Sequence, residues 1–141
     1  MLAAQLRLAS EASHAMVFAY LRQKGFLDLR QSHFDLFRFP GPHGMTPTQL
    51  AGHVGLSKQA LNPLLNELEG FGYLTRVPDP EDRRSRSLQL TARGLDLVTA
   101  IRDALDSLET RTIEKLGAKR YATLLDALTA IREFTQAEDA R

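Results

Sequence analysis

Apolar or small side chains recur at Leu2, Leu6, Ala9, Ser13, Met16 and Tyr20, in alternating steps of four and three. That spacing places them on one seam and predicts a helix over residues 2–23, broken at Gly25. A second, shorter helix is predicted over residues 30–39, with Phe34 and Phe37 turned inward, before the stop Pro40-Gly41-Pro42. Beyond Thr91 the pattern is helical again. Val98, Ile101, Leu105, Leu108 and Thr112 repeat at 3-4-3-4, and Leu97, Ile113 and Leu116 widen the stripe. After Gly117 a last helix repeats the design with Tyr121, Leu124, Leu125, Leu128 and Ile131. The chain has no internal repeat. Its organisation is helical ends around a compact centre.

The centre, residues 46–91, is punctuated more sharply. Thr46-Pro47-Thr48-Gln49 is a helix start: the Thr46 hydroxyl can accept from the Gln49 amide while the Gln49 side chain reaches back to the Thr46 amide. Pro47 suits the first helical position. Leu50, Ala51 and Val54 form the inner face, and Gly55 supplies the backbone freedom of a tight turn. Ser57 then caps a second helix over residues 58 to about 71, with Leu61, Leu64, Leu65 and Leu68 inward. Two short helices joined by a glycine-containing turn form a helix-turn-helix. Lys58, Gln59 and Asn62 point outward from the second helix; Gln and Asn can bond adenine bidentately, and Lys can bond guanine or phosphate. A helical hairpin with a solvated polar face would show the same short pattern.

The segment after this helix separates the two readings. Residues 73–77 and 87–90 alternate like half-buried strands. Between them lies Pro78-Asp79-Pro80-Glu81-Asp82-Arg83-Arg84-Ser85-Arg86, a polar tip that makes a hairpin. Three arginines on such a tip suit phosphates or a narrow minor groove, and Asp82 can orient a neighbouring arginine by a charge-assisted hydrogen bond. The bland alternative is a solvated hairpin in which Asp79, Glu81 and Asp82 cancel the arginines. Pro63, inside the second helix, removes one main-chain hydrogen bond and is expected to kink it, blurring the aim beyond Asn62.

Composition adds mainly exclusions. The 141 residues are 43% hydrophobic and 25% charged, ordinary for a globular chain that buries a core. The absence of cysteine excludes disulfides, thiolate metal sites and thiol redox sensing. His14, His33, His43 and His53 lack the paired spacing of a metal site, so no metal or other cofactor is expected. No phosphate loop, nucleophile elbow or HExxH pattern marks an enzyme, and no catalytic residue is assigned. No signal peptide or membrane-length apolar run is evident, which predicts a cytoplasmic protein with no membrane partner. Net charge is only +1. Residues 1–45 carry five basic and three acidic groups (+2), 46–94 six and five (+1), and 95–141 seven and nine (−2). A DNA-binding reading therefore rests on where the basic groups sit, not on their sum.

The run from Asp79 to Gly94, with its Asp-x-Arg tip leading through a strand into Leu90-Thr91-Ala92-Arg93-Gly94, resembles the wing signature of the MarR family. The stretch from Leu50-Ala51 to Leu74 is similar to that family's helix-turn-helix in spacing. The resemblance implies a mainly α fold with a small β-hairpin wing (α+β), a winged helix-turn-helix flanked by N- and C-terminal dimerisation helices. Within one polypeptide domain the expected parts are 1–45 (N-terminal helices), 46–91 (DNA-binding lobe) and 92–141 (C-terminal dimerisation helices). It implies a transcriptional repressor that binds double-stranded DNA as a homodimer on a pseudo-palindromic operator. Thr46, Ser57, Lys58, Gln59, Asn62, Arg83, Arg84 and Arg86 would contact DNA, and Asp82 would orient the wing. Many relatives bind small, often aromatic or phenolic, ligands between the dimer helices and the DNA-binding lobe, and the resemblance implies that such a ligand could change lobe spacing and release DNA. His14, Met16, Phe18, Tyr20, His33 and Phe37 are the residues available for such a cleft, although core packing competes for the apolar ones. A winged helix used for protein contact, or one that has lost DNA binding, is the alternative.

Overall fold

A capping box opens the central module in the computed structural model, which describes residues 1–140. The Gln49 amide donates to Thr46 Oγ1 at 3.2 Å, and the Thr46 amide donates to Gln49 Oε1 at 2.9 Å. Pro47 stands at the first helical position, where its missing N–H costs nothing. The resulting helix, α3 (Pro47–Val54), is third in the order α1 (Leu2–Gln23), α2 (Gln31–Asp35), α3, α4 (Lys58–Gly70), β1 (Leu74–Pro78), β2 (Arg86–Leu90), α5 (Ala92–Leu116), α6 (Ala118–Asp139). β1 and β2 pair antiparallel, with Leu74 opposite Leu90 and Pro78 opposite Arg86. The fold is thus mainly helical with one two-stranded hairpin, as predicted.

Met1–Ala104 forms one compact unit and residues from Leu105 onward a second. The first unit holds the core. Leu21, Leu36, Leu50, Leu61, Leu65, Leu68, Tyr73, Leu88 and Leu97 are fully buried, and each leucine so placed stabilises the fold by about 1.5–3 kcal/mol. In the second unit the Tyr121 hydroxyl donates to the Glu109 carboxylate at 2.8 Å, which raises the tyrosine pKa.

On α1 the seam residues Leu2 (58%), Leu6 (37%) and Met16 (37%) are exposed, Tyr20 packs on the core, and Val17 (2%) and Leu21 (0%) beside the seam are buried. One predicted feature differs. The second helix is shorter than residues 30–39. After Asp35 the backbone tightens to three-residue turns, with Leu36, Phe37 and Arg38 amides donating to His33, Phe34 and Asp35 carbonyls. Three-residue turns eclipse positions i and i+3, which brings Leu36 over His33, both fully buried.

The Leu90-to-Gly94 signature has a physical basis. Thr91 Oγ1 accepts the Gly94 amide at 3.0 Å, capping α5. A Cβ on Gly94 would lie 2.0 Å from the Tyr73 carbonyl oxygen. Only glycine lets that strand root approach.

Candidate nucleic-acid interface

Gly55 turns the chain out of α3 with φ 72°, a conformation glycine adopts without strain. Ser57 then caps α4, its hydroxyl accepting the Ala60 amide at 3.1 Å. The cap starts α4 with Lys58, Gln59 and Asn62 exposed, while Leu61, Leu65 and Leu68 anchor the opposite face. Pro63 is exposed and inside α4, and the helix continues through it to Gly70. Its ring leaves the Gln59 carbonyl without the usual main-chain donor. Thr46 is half-buried and its hydroxyl serves as the α3 cap.

The back of α4 is held by charged side chains that sequence reading did not single out. The Arg30 guanidinium donates to both oxygens of Glu67 at 2.8 Å. Buried His33 accepts the Arg30 main-chain amide at Nδ1 (3.0 Å), so its proton sits on Nε2, 3.2 Å from Glu67. Burial lowers the His33 pKa, and the Arg30 hydrogen bonds lower that of Glu67. Arg76 on β1 donates to Asn66 at 2.8 Å and lies 3.4 Å from Glu69, tying the wing's root to α4. The side-chain partners Arg30–Glu67, His33–Glu67 and Arg76–Asn66 lie 10 to 37 residues apart in sequence, beyond the reach of any local spacing rule.

The hairpin tip is ordered by its own acids. The Asp79 amide donates to the Ser85 carbonyl and the Ser85 amide to the Asp82 carbonyl, both at 3.0 Å. Asp79 Oδ1 accepts the Glu81 amide at 3.1 Å, and Asp82 Oδ1 accepts the Arg84 amide at 3.0 Å. Asp82 therefore acts on Arg84 through the main chain. Arg83, Arg84 and Arg86 are exposed, and among the described residues none of their guanidiniums forms an ion pair. Asp79 and Asp82 are engaged with main-chain amides, which leaves three cations for an outside anion.

The residues available for a ligand cleft are divided. His14 and Phe18 line an open groove of about 500 Å3 with Glu11, Arg22, Leu29 and Arg30. Tyr20 lines a separate cleft of about 300 Å3 with Lys24, Phe26 and Asp96. His33 is not at a cleft: it is fully buried against Phe71 and bonded to Glu67. Phe37 packs on the core, and Met16 is exposed on α1. Among the described residues no helix is long and apolar enough to cross a membrane, and no group of three His, Asp or Glu could hold a metal ion.

A capped helix, a glycine turn, a polar-faced helix and an arginine-tipped hairpin define a winged helix-turn-helix protein. The MarR family model matches residues 27–85, so that α2, the helix-turn-helix and the wing up to its tip are similar to that family. The chain is 33% identical over 66 residues to the HTH-type transcriptional regulator PecS of Dickeya dadantii (strain 3937), a match covering 47% of this chain and 40% of PecS. It is 31% identical over 88 residues to the HTH-type transcriptional repressor Rv2887 of Mycobacterium tuberculosis (strain ATCC 25618 / H37Rv), covering 60% of this chain and 63% of that one. The matched region thus spans less than two thirds of either relative. Among solved structures, the transcriptional repressor CouR bound to a 23-mer DNA duplex is similar with TM-score 0.73 and 25% identity, over 94% of this chain and 92% of CouR.

Proposed function

We propose that this chain is a sequence-specific, DNA-binding transcriptional repressor that works as a homodimer on a pseudo-palindromic operator in the cytoplasm. The observation that carries the reading is the pairing of an exposed Lys58-Gln59-Asn62 face with three unpaired wing arginines on one braced lobe. In this reading α4 enters the major groove, where Gln59 and Asn62 read base edges and Lys58 meets guanine or phosphate. Ser57 and Thr46, at the two helix starts, meet phosphates, which favour helix N-termini. Arg83, Arg84 and Arg86 reach the flanking backbone or minor groove, with Asp82 fixing the Arg84 main chain. CouR, similar in fold, is itself seen on duplex DNA.

The dimer rests on apolar surface that the chain leaves uncovered. Leu2, Leu6 and Met16 on α1, and Leu124, Leu125, Leu128 and Phe134 on α6, are exposed. Two half-sites about one helical turn apart follow from twofold symmetry. For release, the groove between α1 and the α2 start offers Phe18 and Leu29 for an aromatic ring, with Arg22 and Arg30 for a phenolate or similar acid group. A ligand that favours one lobe spacing would shift the population off DNA.

The test is titration of the protein against duplexes from its own upstream region. Binding is expected to favour one site and weaken steeply with salt, each neutralised phosphate adding about 0.9 to the slope of log K against log salt. Gln59→Ala or Asn62→Ala is expected to change preference at one base position by about 1–3 kcal/mol. Equal loss on all sequences would assign these residues to the DNA backbone. No binding to any upstream duplex would turn the lobe's use to protein contact.

A further inference from the structure

The first turn of α5 binds three successive carbonyls of the turn between α4 and β1. The Thr91 amide donates to the Tyr73 carbonyl at 3.1 Å and the Thr91 hydroxyl to that of Gly72 at 2.5 Å. The Arg93 guanidinium donates to the Phe71 carbonyl. The same guanidinium lies 4.3 Å from the centre of the Tyr73 ring and donates to Asp28 at 3.2 Å. The other Asp28 oxygen accepts the Tyr73 hydroxyl at 2.5 Å. Tyr73 is fully buried, and burial raises its pKa, so it remains a proton donor to Asp28. Asp28 belongs to the connection between α1 and α2. One guanidinium thus joins that connection, the root of the wing and the start of α5.

These links are of two kinds. The contacts of Thr91 and the close approach at Gly94 lie on the main chain at one point, and Leu97, Ala100 and Ile101 are buried on the turns of α5 that follow. Arg93 and Asp28 act away from that point, as a strut between α5 and the lobe. The strut is surface-accessible, its side chains 42% and 29% exposed, so it can be cut while the core stays packed. α5 begins at this joint, so the strut bears on the angle between the lobe and the first turns of α5.

We propose that Arg93, held by Asp28 and Tyr73, is a positioning residue that fixes the DNA-binding lobe on α5 and so sets the half-site spacing the dimer accepts. This rests on the proposed function, because spacing has meaning only for a dimer on two half-sites. Arg93 touches no DNA in this role. Its loss loosens spacing without weakening the contacts each lobe makes.

The experiment compares the full chain with Arg93→Met and Asp28→Asn on three duplexes. One has half-sites about 10 base pairs apart, and the others are shorter or longer by about two base pairs. A single half-site duplex serves as the control. The unaltered protein is expected to prefer one spacing, and each variant to lose about tenfold of that preference, the worth of a charge-assisted contact. Half-site affinity should hold, and the double variant should lose little more than either single one, because the two act through one contact. Unchanged spacing preference in a folded Arg93→Met overturns the proposal. Should that variant unfold, Asp28→Asn decides alone by the same criterion. An equal loss on the half-site and on every spacing also overturns it, and shows a merely structural role. Failure of the unaltered protein to bind any duplex overturns the DNA-binding reading itself.

Discussion

His33 shows how one residue ties protonation to the geometry of the lobe. Its Nδ1 accepts the Arg30 amide, and its Nε2 faces Glu67 within a fully buried setting. Protonation would set a donor against a donor at Nδ1, beside the Arg30 guanidinium. The folded pKa lies below the usual 6.5, with burial as the main cause. The unfolded chain therefore takes up a proton at a higher pH than the folded one, and stability must fall as pH drops from 6.5 toward the folded pKa. Above that window His33 contributes no pH dependence. Glu67 behaves as a depressed carboxylate, whose contribution is present above its usual 4.5 and lost below it. Urea unfolding of the native chain and of His33→Gln, followed from pH 8 to 5, separates the two groups. The native chain should lose stability below about pH 6.5, and the variant should be flatter there. Equal slopes would remove His33 from the account.

At the scale of elements, the parts legible in the sequence are those set by short-range chemistry. Thr46 with Gln49, Ser57 with Ala60 and Thr91 with Gly94 each join a side chain to a main-chain amide three residues on, and Gly55 supplies its own left-handed φ. Thr46→Ala removes the α3 cap and is expected to cost about 1 kcal/mol of stability, measured by the urea midpoint. A change below a few tenths would mean that tertiary packing, not the cap, sets the start of α3. Periodicity is less reliable where a helix has two apolar faces. On α1 the seam through Leu6 and Met16 and the face through Val17 and Leu21 both satisfy helical spacing, and full burial falls on the second, with Tyr20 of the seam packed on the core. α2 ends before the proline stop, the chain passing after Asp35 into three-residue turns, with both His33 and Leu36 buried. The braces Arg30–Glu67, Arg76–Glu69 and Asp28–Arg93 are not legible at all. They join segments that only the fold brings together, and charged residues in a sequence carry no sign of their partners.

For the whole molecule, the apolar residues left exposed on α1 and α6 are the main support for the proposed dimer. Leu124 and Leu128 lie one turn apart on α6 and are each more than a third exposed. Replacing both with Glu should yield a monomer by sedimentation whose lobe remains folded, because neither side chain belongs to the core cluster. A dimer that survives the change would place the interface elsewhere. The near-zero net charge gives the molecule no general attraction for DNA, so binding must depend on the few cations that the fold leaves unpaired. Arg84 stands at the tip of that set, its main chain held by Asp82 and its guanidinium exposed. The direct test is the affinity of Arg84→Ala for the operator, measured beside its circular dichroism and its sedimentation. A DNA-binding wing requires an affinity reduced by about tenfold or more, in a dimer whose fold is unchanged. Undiminished affinity in that folded dimer would contradict it.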